Sequence, residues 1–133
     1  MNSITVSGNA TRDPEIKFVS NGQAQLRIGV AVNRRWQNRQ TQEWEEQVSF
    51  FDVVCYGKLA ENTSNSITKG TRLVVTGRLE QRSWDTPEGV KKTVVELVAD
   101  DIGASFNNAT AHVLRAETKP AMKQAVAAYE EVF

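Results

Sequence analysis

Cysteine is almost absent from this chain. Cys55 stands alone among 133 residues, so no intrachain disulfide can form and a reducing compartment is expected. Histidine is equally scarce: His112 is the only one, far in sequence from Cys55. Without paired Cys or His residues the usual zinc spacings are missing. No apolar run approaches the roughly 20 residues that cross a bilayer. The start of the chain, MNSITVSG, lacks a basic region followed by an apolar run, so no signal peptide is expected and the cytoplasm is the expected location. Net charge is missing too, because 16 basic residues balance 16 acidic ones. That balance argues against a polyanionic ligand until the charges are placed. Residues 1–98 hold 13 Lys and Arg against 11 Asp and Glu, and residues 99–133 hold 3 against 5, a mild asymmetry. Gly57-Lys58-Leu59 has neither the upstream glycine nor the following Ser or Thr of a phosphate loop. No constellation supports catalysis, and no metal or cofactor is expected.

Strand patterns dominate to about residue 100. Ile4, Val6 and Gly8 alternate with polar neighbours, as do Leu26, Ile28, Val30 and Val32. Ser20-Asn21-Gly22 reads as a tight turn, which makes residues 15–32 a hairpin. Residues 33–47 are polar and read as a long loop, a type of segment that is often functional. Val48–Tyr56 follows as a strand that Gly57 breaks. Lys58–Lys69 places Leu59, Thr63 and Ile67 at helical spacing, with Gly70 as its stop. Its Ser, Asn and Thr content requires tertiary packing to hold it. Arg72–Trp84 and Lys91–Ala99 read as strands around a turn at residues 85–89. Five strands with one helix between the third and fourth is the order of an all-β OB-fold barrel, here with a short C-terminal extension. In that extension Ala109–Arg115 has the pattern of a short extra strand. Pro120–Phe133 reads as a helix with Met122, Val126, Tyr129 and Phe133 on one stripe.

Side chains alternate across a strand, so residue parity assigns faces. In the fourth strand Leu73, Val75, Gly77 and Leu79 form the core set, which leaves Trp84 on the charged outer side with Arg72, Arg78 and Arg82. In the third strand Phe51, Val53 and Cys55 face the core, so Cys55 is a small core residue rather than a nucleophile. Phe50 and Tyr56 share the outer side with Asp52. Trp36 opens the polar loop between Arg35 and Arg39, with Arg34 just before. Rings beside cations suit an unpaired nucleic-acid strand, since rings take bases and cations meet phosphates; stacking contributes roughly 1–3 kcal/mol per base. Lys91 and Lys92 add a basic pair. The same rings would also serve as core or oligomer contacts, and the arginines as a solvated face. Trp44 reads as packing of the loop against the barrel more readily than as a stacking ring.

The chain resembles the bacterial single-stranded DNA-binding proteins, those of actinobacteria above all. The resemblance rests on ITVSGNATRDPEIKF with SNGQAQLRIGVAV, on RQTQEWEEQVSFFDVVCYGKLAENTSNSITKGTRLVVTGRLEQRSW, and on DDIGASFNNATAHV. It covers about residues 3–115. It implies an OB-fold that assembles as a homotetramer and wraps single-stranded DNA in replication, recombination and repair, in the cytoplasm and associated with the nucleoid. The family's stacking rings fall on Trp36, Phe50, Tyr56 and Trp84, and basic positions of its DNA path on Lys58, Lys69 and Arg82. The resemblance also makes Ala109–Arg115 a candidate clamp between two subunits. Phe51 departs from relatives that carry a histidine there near a subunit interface.

The tail departs further. The family pattern ends in a Gly- and Pro-rich linker, several aspartates and Pro-Phe, whereas this sequence ends AVAAYEEVF. Glu130, Glu131, Val132 and Phe133 are the expected docking tip for replication and repair proteins, unless the stripe packs on the barrel itself. The expected organisation is therefore a binding domain over 1–116 and a tail over 117–133. The expected function is non-enzymatic, sequence-independent binding of single-stranded DNA, with Arg34, Arg35, Arg39, Lys58, Lys69, Arg72, Arg82, Lys91 and Lys92 at phosphates. The competing expectation is an oligomeric OB-fold adaptor whose DNA binding has weakened.

Overall fold

The computed structural model describes residues 1–116. Its elements run β1 (Ile4–Ala10), β2 (Glu15–Phe18), β3 (Ala24–Gln37), β4 (Trp44–Tyr56), α1 (Gly57–Ser66), β5 (Arg72–Asp85) and β6 (Lys91–Ala104). The sheet has the order β1-β5-β6-β4-β3-β2, and a further pairing of Asn9 and Ala10 with Ala31 and Val30 closes it through β1 and β3. Five strands thus make the barrel, as expected from their order, with the helix between the third and fourth of them. The sixth, β2, is the first limb of the predicted 15–32 hairpin and lies on the sheet edge against β3. Gly8 permits the closure: a Cβ there would run into the carbonyl of Ala31.

Alternation does what parity demands inside the barrel. Leu26, Ile28, Val30, Val53, Cys55, Leu73, Val75 and Leu97 are all buried in one core. Burial pushes the Cys55 thiol up to about 11, which keeps it protonated and inert at neutral pH. Helix α1 buries Ala60 and Thr63 against that core, with Leu59 partly covered and Ile67 buried at its end. Tertiary packing therefore holds a segment of low intrinsic helicity. The helix is shorter than Lys58–Lys69. It starts at Gly57, whose φ of 69° turns the chain out of β4, and ends where the Ile67 amide bonds the Thr63 carbonyl. Gly70 serves the following turn instead, its amide bonding the Ala10 carbonyl. No helix of the described residues is long and apolar enough to cross a membrane.

The sequence expectation of a 33–47 loop is corrected. β3 runs on to Gln37 and β4 begins at Trp44, leaving a short turn over 38–43. Asn38 organises that turn: its amide bonds the Glu43 carbonyl, and its Oδ1 accepts from the amides of Gln40 and Thr41. Beyond Ala31 and Phe50 no third strand among the described residues pairs with this ribbon. It is exposed on nearly every residue, so neither face needs apolar side chains and no alternation marks it in the sequence. Leu79 leaves the predicted core for a related reason. β1 pairs with β5 only as far as Gly77, so Leu79 has no barrel strand over it and is exposed. The last strand runs past Ala99 to Ala104, through a bulge where the register skips Asp100. Residues 105–116 form no helix or strand in the single chain. The predicted helix over Pro120–Phe133 and the tip Glu130, Glu131, Val132 and Phe133 lie outside the described residues.

Candidate nucleic-acid interface

The antiparallel register of β3 and β4 fixes which side chains share a face. Leu26, Ile28 and Val30 pair with Cys55, Val53 and Phe51, the inner set. Gln25, Arg27 and Ala31 pair with Tyr56, Val54 and Phe50, the outer set, and the alternation continues along the ribbon to Arg35 opposite Glu46 and Gln37 opposite Trp44. The parallel pairing of Val54 with Val98, and the antiparallel pairing of β6 with β5, carry the outer face across the sheet to Arg78, Glu80, Arg82 and Trp84. Val54 is a buried apolar residue on this face, between strands that bring Arg27 and Val98 alongside it.

Three of the four predicted rings stand on that outer face. Phe50 is 74% exposed, and Tyr56 and Trp84 are each 39% exposed. The Tyr56 hydroxyl accepts a hydrogen bond from the buried Gln25 amide at 3.3 Å, which tethers the far edge of the ring. The Arg82 guanidinium lies 4.8 Å from the Trp84 ring centroid, and Lys92 sits opposite Trp84 on β6. Trp36 is placed differently. It belongs to strand β3 rather than to a loop, pairs with Glu45, and so takes the opposite face of the ribbon, with Arg34 5.2 Å from its ring.

For Trp44 the sequence favours packing on the barrel over a stacking ring. Trp44 is 61% exposed instead of packed on the barrel, shares the outer face with Phe50, and has Arg35 4.8 Å from its ring. The signal was present in two tryptophans flanking one turn, Trp36 on β3 and Trp44 on β4, but it reads as a signal only once the ribbon is recognised. Arg27 was missed by the sequence reading, since nothing local links it to β5 and β6. Glu96 Oε1 accepts from Arg27 Nη1 at 2.9 Å and from Arg82 Nε at 3.0 Å, joining three strands on the outer face. Burial works to raise the Glu96 carboxyl, but the hydrogen bond and charge of Arg27, then those of Arg82, outweigh it and hold the group below the ordinary carboxylate range.

The remaining predicted cations do not converge on one point. Arg39 is in the ribbon turn, where its carbonyl accepts from the Gln42 side chain. Lys91 and Lys92 open β6 beside Asp85 and Trp84. Lys58 is on the first turn of α1, and Lys69 follows the helix, its amide bonded to Asp13. Arg72 begins β5, at the opposite end of that strand from Trp84, and its Nε is buried without a hydrogen-bond partner.

A closed five-stranded barrel with a helix before its fourth strand, and with rings and cations displayed on one outer face, defines an OB-fold binding protein. The profile of the Single-strand binding protein family matches residues 1–105. This chain belongs to that family. It is 45% identical over 115 residues to the single-stranded DNA-binding protein of Mycobacterium leprae, covering 86% of this chain and 68% of that protein. It is 44% identical over 114 residues to the corresponding protein of Corynebacterium glutamicum, covering 85% of this chain and 51% of that one. Among solved structures, a Plasmodium falciparum SSB complex with ssDNA superposes with a TM-score of 0.70 at 25% identity, over 77% of this chain and 92% of the other.

Proposed function

We propose that this chain binds single-stranded DNA with little sequence specificity, as a non-enzymatic protein that protects unpaired strands in replication, recombination and repair. The observation that carries the reading is the outer face itself: Phe50, the most exposed of its rings, shares that face with Tyr56, Trp84 and Trp44. An exposed Phe leaves its apolar ring in water, a cost that covering the ring relieves, and every base has a π-face to cover it. Phe50, Tyr56 and Trp84 take bases on this side of the barrel. Trp36 does so across the ribbon, and Trp44 extends the track toward the ribbon tip. Arg34, Arg35, Arg39, Lys58, Lys69, Arg72, Arg82, Lys91 and Lys92 are the candidate phosphate contacts. The family and the solved complex of a relative with ssDNA support this reading.

The finer parts rest on the resemblance. The working assembly is a homotetramer, residues 109–115 pair between subunits as a clamp, and Glu130–Phe133 dock replication and repair proteins in the cytoplasm. The adaptor reading is disfavoured by the retained exposed rings, which an adaptor would have no reason to keep. Titration with an oligo-dT at low salt tests the proposal. Tryptophan fluorescence is expected to quench as bases stack, and an unchanged spectrum at saturating oligonucleotide would reject stacking as the mode of binding.

A further inference from the structure

Three arginines of the outer face, Arg27, Arg78 and Arg82, are already paired with acids. Arg78 meets Glu80 at 2.9 Å and Asp100 at 3.4 Å, and all of these side chains are well exposed. Glu96 differs, because its side chain is 9% exposed while it holds both Arg27 and Arg82. Three donor contacts, from Arg27 Nη1, Arg82 Nε and Arg82 Nη2, converge on its Oε1. An exposed pair is screened by salt and opens readily, whereas a buried, doubly held carboxylate keeps its charge in place.

Resting on the binding reading above, we infer that Glu96 is a resident counter-anion of the DNA-binding face: it occupies Arg82 and Arg27 in place of a phosphate, so the bound strand gains little from them. A phosphate that reaches Arg82 must share its guanidinium with Glu96, and the trio offers one net positive charge rather than two. Counterion release scales with phosphates neutralised. The face therefore binds chiefly through its rings, and its affinity falls less with salt than its count of arginines implies. Glu96 is one of the 16 acids that balance the 16 basic residues of this chain. Glu96 acts here through Arg82 and Arg27 and does not itself touch the strand.

The test uses the full chain and a dT oligomer of fixed length, titrated across a series of NaCl concentrations. Wild-type binding at low salt checks the underlying reading on its own. In Glu96→Gln the amide keeps the shape but drops the charge. Its plot of log affinity against log salt is expected to steepen by about 0.7 for each phosphate gained, with several-fold tighter binding at low salt that fades at high salt. An unchanged slope, or weaker binding at every salt concentration, would overturn the inference and leave Glu96 as a structural brace. A thermal melt confirms that the variant is folded. Should it not fold, Arg82→Gln reads the same competition. A loss of slope well under 0.7 supports the sharing of Arg82, and a full loss of about 0.7 means Glu96 takes nothing from it.

Discussion

Trp36 and Trp44 stand on opposite faces of one two-stranded ribbon, each with an arginine over its ring: Arg34 at 5.2 Å and Arg35 at 4.8 Å. Cross-strand register puts them one step apart, Trp36 opposite Glu45 and Gln37 opposite Trp44. The ribbon thus presents a cation–aromatic pair to either side, and only the Trp44 side is continuous with Phe50.

That continuity predicts a role for Trp44. Trp44→Ala is expected to weaken oligo-dT binding by about 1–3 kcal/mol, the range for loss of one stacking ring. Because the ring is exposed, the thermal midpoint is expected to stay within a degree or two of wild type. Fluorescence anisotropy of a labelled oligonucleotide gives the first quantity and a melt the second. Unaltered affinity would confine the track to the barrel.

The core makes an independent prediction. Leu26, flanked by Ile16 on β2 and Cys55 on β4, is fully buried at 0% exposure. Leu26→Ala removes apolar contacts and leaves a cavity, for a cost of about 2–5 kcal/mol. Urea unfolding should show that loss as a lower midpoint with little change in slope.

Stability should also respond to acid through Glu96. Its folded pKa lies below its ordinary value of 4.5, held there by Arg27 and Arg82 against the opposing effect of burial. A group of this kind stabilises the fold above its unfolded pKa and loses that contribution as pH falls through the folded value. The gap in urea midpoint between wild type and Glu96→Gln is therefore expected to hold from pH 7 to about 5 and to shrink below that. A gap that stays constant down to pH 3 would mean the carboxyl is not the source.

Much of the barrel was legible because burial on one side writes a period of two into a strand. That pattern placed Leu73, Val75, Val53 and Cys55 inside and Phe50, Tyr56 and Trp84 outside. It failed where one-sided burial fails. Leu79 has the parity of a core residue but lies past the last β1 partner, and the 33–37 and 44–47 segments are strands with water on both faces. The Arg27–Glu96 contact spans 69 residues of sequence, and no local pattern encodes a pairing made by sheet topology. Trp44 fell to the same cause as the ribbon, since a ring in a supposed loop has no face to be assigned.

The central claim, that the outer rings hold an unpaired strand by stacking, is tested most directly at Phe50. It is the most exposed ring of the outer face, and it carries no hydroxyl or indole N–H that would offer another role. The measurement is the equilibrium affinity of Phe50→Ala for oligo-dT, with the melting temperature and solution mass recorded alongside. Affinity lower by about 1–3 kcal/mol, with stability and mass unchanged, is the predicted result. Wild-type affinity in a variant that has lost its oligomeric mass would contradict the account and make Phe50 a subunit contact.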